Sequence, residues 1–185
     1  GAPQVLIAAC DVTDENKFES TLLSLDKDLG QADIFIANAG VTGRSTFEAD
    51  AWIKSKQTLL VHVMAAIHGL ELMKSLMVKR GHGILVGVSS IAGARGMPTG
   101  GAYSSSKAAL TTHLETMRID LKGRGVSVVT IAPGFIETPL TSHNKGKMPF
   151  LMQPSAAAKV FARGILKKKS WVVAPLPYRF IYPIL

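Results

Sequence analysis

Short apolar runs alternate along this chain with longer segments in which apolar residues recur every three or four positions. The short runs are typical of buried strands, and the periodic segments are typical of helices with one apolar face. The sequence therefore predicts strands near residues 4–10, 33–37, 83–88, 126–132 and 171–174, and helices near 14–29, 48–79, 103–122 and 154–169. Strands that alternate with helices indicate an α/β fold with a parallel sheet, here as one domain over residues 1–185.

Small or polar residues end three of the predicted strands. They are Asn38, Ala39 and Gly40, then Ser90, and finally Pro133 and Gly134. Ligands of parallel sheets bind at the carboxyl ends of the strands, so we expect these residues at one ligand-binding edge. Asp11 and Val12 directly follow the strand predicted near residues 4–10. Taken alone, Asp11 fits a turn at a strand end better than a ligand contact, and asparagine and glycine are also common in turns.

Tyr103 and Lys107 lie four positions apart in a helical pattern, so their side chains are expected on one helix face. A nearby ammonium favours the phenolate and lowers the tyrosine pKa. Lowering that pKa from about 10 to about 7 takes roughly 4 kcal/mol, which is a large stabilisation for one lysine to supply. We therefore expect a second cation, such as a nicotinamide ring, to contribute. The pair alone is weak support, because this spacing also occurs on solvated helices.

Composition narrows the classes of function. The chain is globular in composition, and its net charge of +8 is spread along the sequence apart from the triplet at 167–169. That triplet is expected at a helix carboxyl end, where cations offset the helix dipole, so nucleic-acid binding is disfavoured. The single Cys10 cannot form an intrachain disulfide and favours a reducing compartment such as the cytoplasm. No uncharged apolar run reaches the length of a membrane-spanning helix, so no transmembrane segment is expected.

Four motifs together resemble the short-chain dehydrogenase/reductase family. They are N-A-G at residues 38–40, S-S-x-A-G at 89–93, Y-x-x-x-K at 103–107 and P-G-x-x-x-T at 133–138, with the family's spacing between serine and tyrosine. The resemblance covers nearly the whole chain. It implies a Rossmann-type doubly wound parallel sheet.

The resemblance also implies roles for individual residues. Ser90, Tyr103 and Lys107 match the family's catalytic residues. Cofactor contacts are implied for Asp11, Val12, Asn38, Ala39, Gly40, Tyr103, Lys107, Pro133, Gly134, Ile136 and Thr138. Within that set, Asp11 is implied to contact the adenine, and Ile136 and Thr138 to contact the nicotinamide carboxamide.

His62 departs from the family pattern, which has an asparagine at this position. That asparagine is implied to hold a water that links the catalytic lysine to solvent. A histidine donates and accepts hydrogen bonds and titrates near neutral pH. As a fourth catalytic residue His62 could therefore keep this proton relay, or it could only fill the space.

A glycine-rich turn between a first strand and a first helix holds the cofactor pyrophosphate in this family, and no such turn is found in this sequence. We therefore expect the chain to begin at the family's third strand, and the sheet to lack the first two strands. A longer coding sequence is expected to supply them. The implied cofactor is NAD or NADP, and the preference is normally set in that part.

The sequence thus predicts an NAD(P)-dependent oxidoreductase that interconverts a carbonyl and a secondary alcohol of a small, moderately hydrophobic substrate. The outward faces of the helices near 48–79 and 103–122 resemble those that form the family's homodimers and homotetramers. One alternative is the related epimerase/dehydratase branch, which acts on nucleotide sugars, but N-A-G and S-S-x-A-G favour the reductase. The other alternative is a catalytically silent scaffold for dimerisation or ligand sensing, which would not need Ser90, Tyr103 and Lys107 together.

The sequence does not assign a single role to two segments near the carboxyl end of the chain. Residues 140–150 are polar and aperiodic, and they resemble the family's mobile substrate loop. The apolar tail 175–185 could cover the substrate pocket, pack on a partner or lie at a membrane surface. Its prolines disfavour a regular helix, so the first two possibilities are preferred.

Overall fold

A four-stranded parallel sheet forms the centre of the protein, in a computed structural model that describes residues 4–42, 48–142 and 146–181. The strands are β1 (Ile34–Ala37), β2 (Gly83–Val88), β3 (Val126–Pro133) and β4 (Trp171–Ala174), and they lie side by side in chain order. Parallel neighbours joined by helical crossovers confirm the predicted α/β fold.

Within the ranges that the structure describes, seven α-helices connect and cover the strands: α1 (Glu15–Asp28), α2 (Ala51–Leu59), α3 (Ala66–Arg80), α4 (Gly101–Asp120), α5 (Pro139–Ser142), α6 (Pro154–Leu166) and α7 (Pro177–Ile181). A π-helical turn over Leu60–Ala65 joins α2 to α3, and a 3-10 turn over Ile91–Gly93 follows β2. At the start of α1 the Asp14 carboxylate accepts a hydrogen bond from the Lys17 N–H and so caps the helix.

Alternate residues of the strands face two helical layers, as the pleat of a strand requires. On one face Leu85 and Val128 pack in a cluster with Leu70, Met73 and Leu114 from α3 and α4. On the other face Val86 and Val129 pack with Ile165 from α6. Helices on both faces make the sheet doubly wound, and its carboxyl edge is left to carry the site.

The long stretch Ala51–Arg80 has enough length and apolar composition to cross a membrane, a test that the core helix of a globular domain also passes. Here Leu70, Met73 and Met77 are fully buried beneath the sheet. The predicted helix over 48–79 is therefore confirmed as a packing helix, although it begins at Ala51 and contains an unpredicted π turn.

Two expectations were wrong. Residues 4–10 form no strand, and Val5 and Ile7 are 73% and 91% exposed. A strand needs a neighbour for its backbone hydrogen bonds, whereas within the described ranges β1 pairs with β2 alone. The tail does contain a short helix, α7, because Pro177 lies at its first position, where a missing N–H costs nothing.

Candidate active site

Ser90, Tyr103 and Lys107 meet at the carboxyl edge of the sheet. Ser90 follows β2, and Tyr103 and Lys107 lie in the first two turns of α4. The Ser90 side chain hydrogen-bonds the Tyr103 hydroxyl. The Lys107 Nζ lies 5.8 Å from the centre of the Tyr103 ring. The structure therefore brings together the three residues that the motifs single out.

Short contacts fix the end of β2 against α4. The Ser89 Oγ lies 2.9 Å from the Lys107 carbonyl oxygen, to which it donates, and 2.8 Å from the Thr111 Oγ1. In the 3-10 turn, Gly93 approaches α4 so closely that a Cβ there would lie 3.0 Å from the Ala108 nitrogen. The serine and glycine of S-S-x-A-G thus hold Ser90 and Lys107 at a fixed separation.

Burial controls the charges of this cluster. It lowers the pKa of Lys107 to about 8. Burial also raises the pKa of Tyr103, and the Ser90 hydrogen bond offsets part of that rise. The protein alone therefore does not lower the pKa of Tyr103 towards 7, because the cost of removing the phenolate from water outweighs its stabilisation by the Ser90 hydrogen bond. This agrees with the expectation that one lysine is too little.

Lys107 retains unused donor capacity. Its Nζ donates one hydrogen bond of 2.8 Å to the Val88 carbonyl. Across the described residues no carboxylate forms an ion pair with it. An ammonium has three N–H donors, so Lys107 can bond further polar groups, such as hydroxyls, brought to this edge.

His62 lies inside the π turn with 1% of its surface exposed. Its Nε2 accepts a 2.9 Å hydrogen bond from the Val41 N–H, and its Nδ1 lies 3.1 Å from the Ser106 Oγ. The ring stands edge-on to Tyr103, with 5.4 Å between ring centres. Burial, and then the charge of Lys107, lowers the pKa of His62 to about 3, so the imidazole is neutral at physiological pH.

Residues predicted to contact a cofactor surround the end of β1. Val12, Asn38 and Ala39 line one small cavity of about 130 Å³. Gly40 lies against His62, where a Cβ would be 3.2 Å from Nε2. Asp11 instead caps its own turn, since its Oδ1 accepts hydrogen bonds from the Thr13 N–H at 2.9 Å and hydroxyl at 2.8 Å. These bonds, that of the backbone N–H most, lower the pKa of Asp11.

The residues after β3 lie at the same carboxyl edge of the sheet, on the opposite side of β2 from the end of β1. The Gly134 N–H donates to the Ala174 carbonyl at 2.8 Å. The face of Gly134 is covered by the Tyr178 ring, which fills the space of a Cβ. Thr138 and Ile136 belong to a small network, in which the Thr141 hydroxyl donates to the Ile136 carbonyl at 2.6 Å.

Three residues of the site were not found from the sequence: Ser106, Val41 and Tyr178. Ser106 stands inside the Y-x-x-x-K motif at a position that the motif leaves free, and Val41 acts through its backbone. The Tyr178 hydroxyl donates to the Pro149 carbonyl at 2.9 Å, and its ring contacts Phe135 and Phe150. The tail therefore packs on the predicted substrate loop; residues 143–145 and 182–185 of these two segments lie outside the described ranges.

Comparison with known proteins points in one direction. An uncharacterized oxidoreductase of Myxococcus xanthus is 39% identical over 165 residues, which is 89% of this chain and 65% of that protein. A crystal structure of NAD+-bound xylitol dehydrogenase is 30% identical over 71% of this chain and 51% of its own, with a TM-score of 0.65. The chain thus spans about two thirds or less of the length of these relatives.

A short-chain dehydrogenase/reductase of Burkholderia phymatum, solved in complex with NAD, shares the fold. Its TM-score is 0.82 at 18% identity, over 95% of this chain and 73% of that one. The family model described as short chain dehydrogenase matches residues 2–148. Because this match spans well over half of the chain, the protein belongs to the short-chain dehydrogenase family.

Proposed function

We propose that this protein is an NAD(P)-dependent oxidoreductase that interconverts a carbonyl and a secondary alcohol, with Tyr103 as the acid and base. The observation that carries the proposal is the hydrogen bond from Ser90 to Tyr103 beside the buried Lys107 ammonium. A buried cation in a small cluster of hydroxyls is costly for folding and is expected where a charge must be stabilised.

The residues present fit a nicotinamide cofactor. Lys107 has donors free for ribose hydroxyls, and the small residues Ala39 and Gly40 let a ligand approach the backbone after β1. Val12 and Asn38 would line its adenosine side, with Asp11 beside them, and Pro133, Gly134, Ile136 and Thr138 its nicotinamide side. NAD-bound relatives support NAD or NADP as the cofactor.

In the reducing direction the bound cofactor supplies the hydride that adds to the carbonyl carbon. The Tyr103 hydroxyl transfers its proton to the carbonyl oxygen, which becomes the alcohol oxygen. Ser90 donates a hydrogen bond to the same oxygen and stabilises the negative charge that develops on it. Lys107 favours the phenolate that remains on Tyr103. Oxidation of an alcohol runs through the same contacts in reverse.

Exposed apolar side chains support a substrate class and an assembly for this protein. Phe150 and Leu151 are half-exposed beside Tyr178, which favours a moderately hydrophobic ketone or secondary alcohol. Trp52 on α2 and Ile119 on α4 are 70% and 75% exposed, a surface that a homodimer or homotetramer would cover. We place the protein in the cytoplasm, in keeping with its single cysteine.

Titration with NADH and NADPH, followed by nicotinamide fluorescence, tests the proposal. The 185-residue chain and any longer coding sequence are titrated separately and then assayed against a panel of ketones, aldehydes and secondary alcohols. We expect binding of one cofactor and turnover that Tyr103→Phe removes. If neither form binds either cofactor, the silent scaffold becomes the better explanation.

A further inference from the structure

His62 connects two parts of the site that come from distant parts of the sequence. One is the backbone after β1, at Val41, and the other is the second turn of α4, at Ser106. The imidazole is the side chain between them, and it is fully enclosed. Its hydrogen bonds therefore decide what it can do.

The direction of each bond is determined. The Val41 N–H is a donor, so Nε2 must be an unprotonated acceptor. The proton of the neutral ring is then on Nδ1, which donates to the Ser106 Oγ at 3.1 Å. The Ser106 hydroxyl in turn donates to the Tyr103 carbonyl at 2.7 Å. One tautomer satisfies the whole chain from Val41 to Tyr103.

Among the described residues, the His62 ring has no hydrogen-bond acceptor for a second proton. Protonated Nε2 would direct an N–H at the Val41 N–H, and the ring, 1% exposed, has no solvent contact through which to place that proton. The charged group facing the ring from α4 is Lys107, which also disfavours an imidazolium. Both ring nitrogens are occupied, so neither is available to a water that would carry protons away from Lys107.

We propose that His62 is a positioning residue that clamps the cofactor-side backbone to the catalytic helix, and that it does not relay protons. The catalytic consequence rests on the proposed function, whereas the clamp is a property of the fold. Through Val41 it sets the position of Asn38, Ala39 and Gly40. Through Ser106 it sets the first turn of α4, which carries Tyr103.

Two substitutions separate the two branches of the clamp. In His62→Asn the amide nitrogen takes the place of Nδ1 and keeps the bond to Ser106, but the acceptor for Val41 is lost. In His62→Gln the amide oxygen takes the place of Nε2 and keeps the bond to Val41, but the Ser106 bond is lost. Neither side chain titrates. His82→Gln, at an exposed histidine, is the matched control.

The first measurement does not depend on catalytic activity. Nitrogen-15 NMR of the histidine rings should show His62 as the neutral Nδ1–H tautomer throughout pH 5 to 8. Amide exchange at Val41 should be at least about tenfold faster in His62→Asn and unchanged in His62→Gln and His82→Gln, as expected for the loss of one hydrogen bond. Titration of His62 within this range, or unchanged Val41 exchange in His62→Asn, would overturn the proposal.

The second measurement uses the active protein. We expect His62→Asn to weaken cofactor binding about tenfold with a smaller change in kcat, and His62→Gln to lower kcat about tenfold with a smaller change in cofactor Kd. The pH profile of kcat should keep its shape in both variants. A relay would instead show as a shifted profile and an equal loss of kcat in both. If the parent protein has no activity at all, the proposed function fails, and the NMR and exchange results still decide the clamp.

Discussion

Gly93 packs directly on Lys107: a Cβ at residue 93 would lie 2.9 Å from the Lys107 carbonyl carbon. Atoms of real side chains essentially never approach so closely, and the neighbour is helix backbone, which cannot rotate away. The contact sets how near the strand end that carries Ser90 comes to the helix that carries Tyr103. The separation of Ser90 and Tyr103 therefore depends on the absence of a methyl group at residue 93.

Gly93→Ala should destabilise the protein by about 1–3 kcal/mol, because the added methyl overpacks the contact between the 3-10 turn and α4. Denaturant unfolding measures the change. Gly96→Ala is the control, since no atom lies within 4 Å of its Cβ position. Equal stability of Gly93→Ala and Gly96→Ala would show that the turn moves away freely.

Tyr103→Phe should lower kcat by about 10²- to 10⁴-fold, since it removes the proton that the proposed mechanism transfers. Cofactor affinity and the circular dichroism spectrum should stay close to those of the parent, because the ring and its contact with His62 remain. Stopped-flow single turnover separates chemistry from product release. A kcat within a factor of three would remove Tyr103 from the chemistry.

Lys107→Met should abolish activity and yet stabilise the fold. The lowering of the Lys107 pKa from 10.5 to about 8 corresponds to about 3 kcal/mol of unfavourable burial of the ammonium. A methionine of similar size avoids this cost but leaves the Val88 carbonyl without its donor, so we expect a net gain of about 1–2 kcal/mol at pH 7.

The stabilisation by Lys107→Met should also depend on pH in a definite direction. Between about pH 8 and 10.5 the folded parent loses the Lys107 proton while the unfolded chain keeps it, so the parent becomes more stable as pH rises. The advantage of the methionine variant should therefore shrink above pH 8. An advantage that is constant from pH 7 to 10 would contradict this account.

His62 should contribute acid sensitivity to the fold. Its pKa is about 3 in the folded protein and near 6.5 in the unfolded chain, so between these values the unfolded chain binds the extra proton. The free energy of unfolding should then fall as pH is lowered from about 6.5, by up to about 1.4 kcal/mol per pH unit. His62→Gln should lack this component in urea unfolding at pH 7, 6 and 5. Parallel curves for parent and variant would count against a buried neutral imidazole.

Tyr178→Phe should loosen the segment before α6. The substitution removes the hydrogen bond to the Pro149 carbonyl and leaves the ring packing intact, so the loss of stability should be about 0.5–1.5 kcal/mol. Amide exchange near Met152 should accelerate while that of β2 stays unchanged. Tyr178→Ala, which also empties the space over Gly134, should cost more, about 3–5 kcal/mol.

Much of this architecture could be predicted from apolar periodicity and strand-end residues. The helices α1–α4 and α6 follow apolar periodicity and the four strands follow short apolar runs, whereas the short helices α5 and α7 were not predicted. Ser90, Tyr103 and Lys107 were located by their motifs. The strand expected over residues 4–10 failed because a strand is stabilised by its neighbours, which its own sequence does not specify. The contacts of Val41, Ser106 and Tyr178 were missed for a related reason: each depends on backbone atoms or on partners far along the chain.

The π turn over Leu60–Ala65 separates the direction of His62 from the packing of the helices on either side of it. Each residue of an α-helix turns the chain by about 100°, and a π turn accommodates an additional residue without a break. Deleting one residue here would therefore restore regular α-helical bonding and leave α2 and α3 close to their present relative rotation. Leu70 and Met73 would keep their places in the core, whereas His62, which lies inside the turn, would change direction and leave Val41. The same core packing is thus compatible with two different lengths of this segment, and only one of them supplies the contact between His62 and Val41.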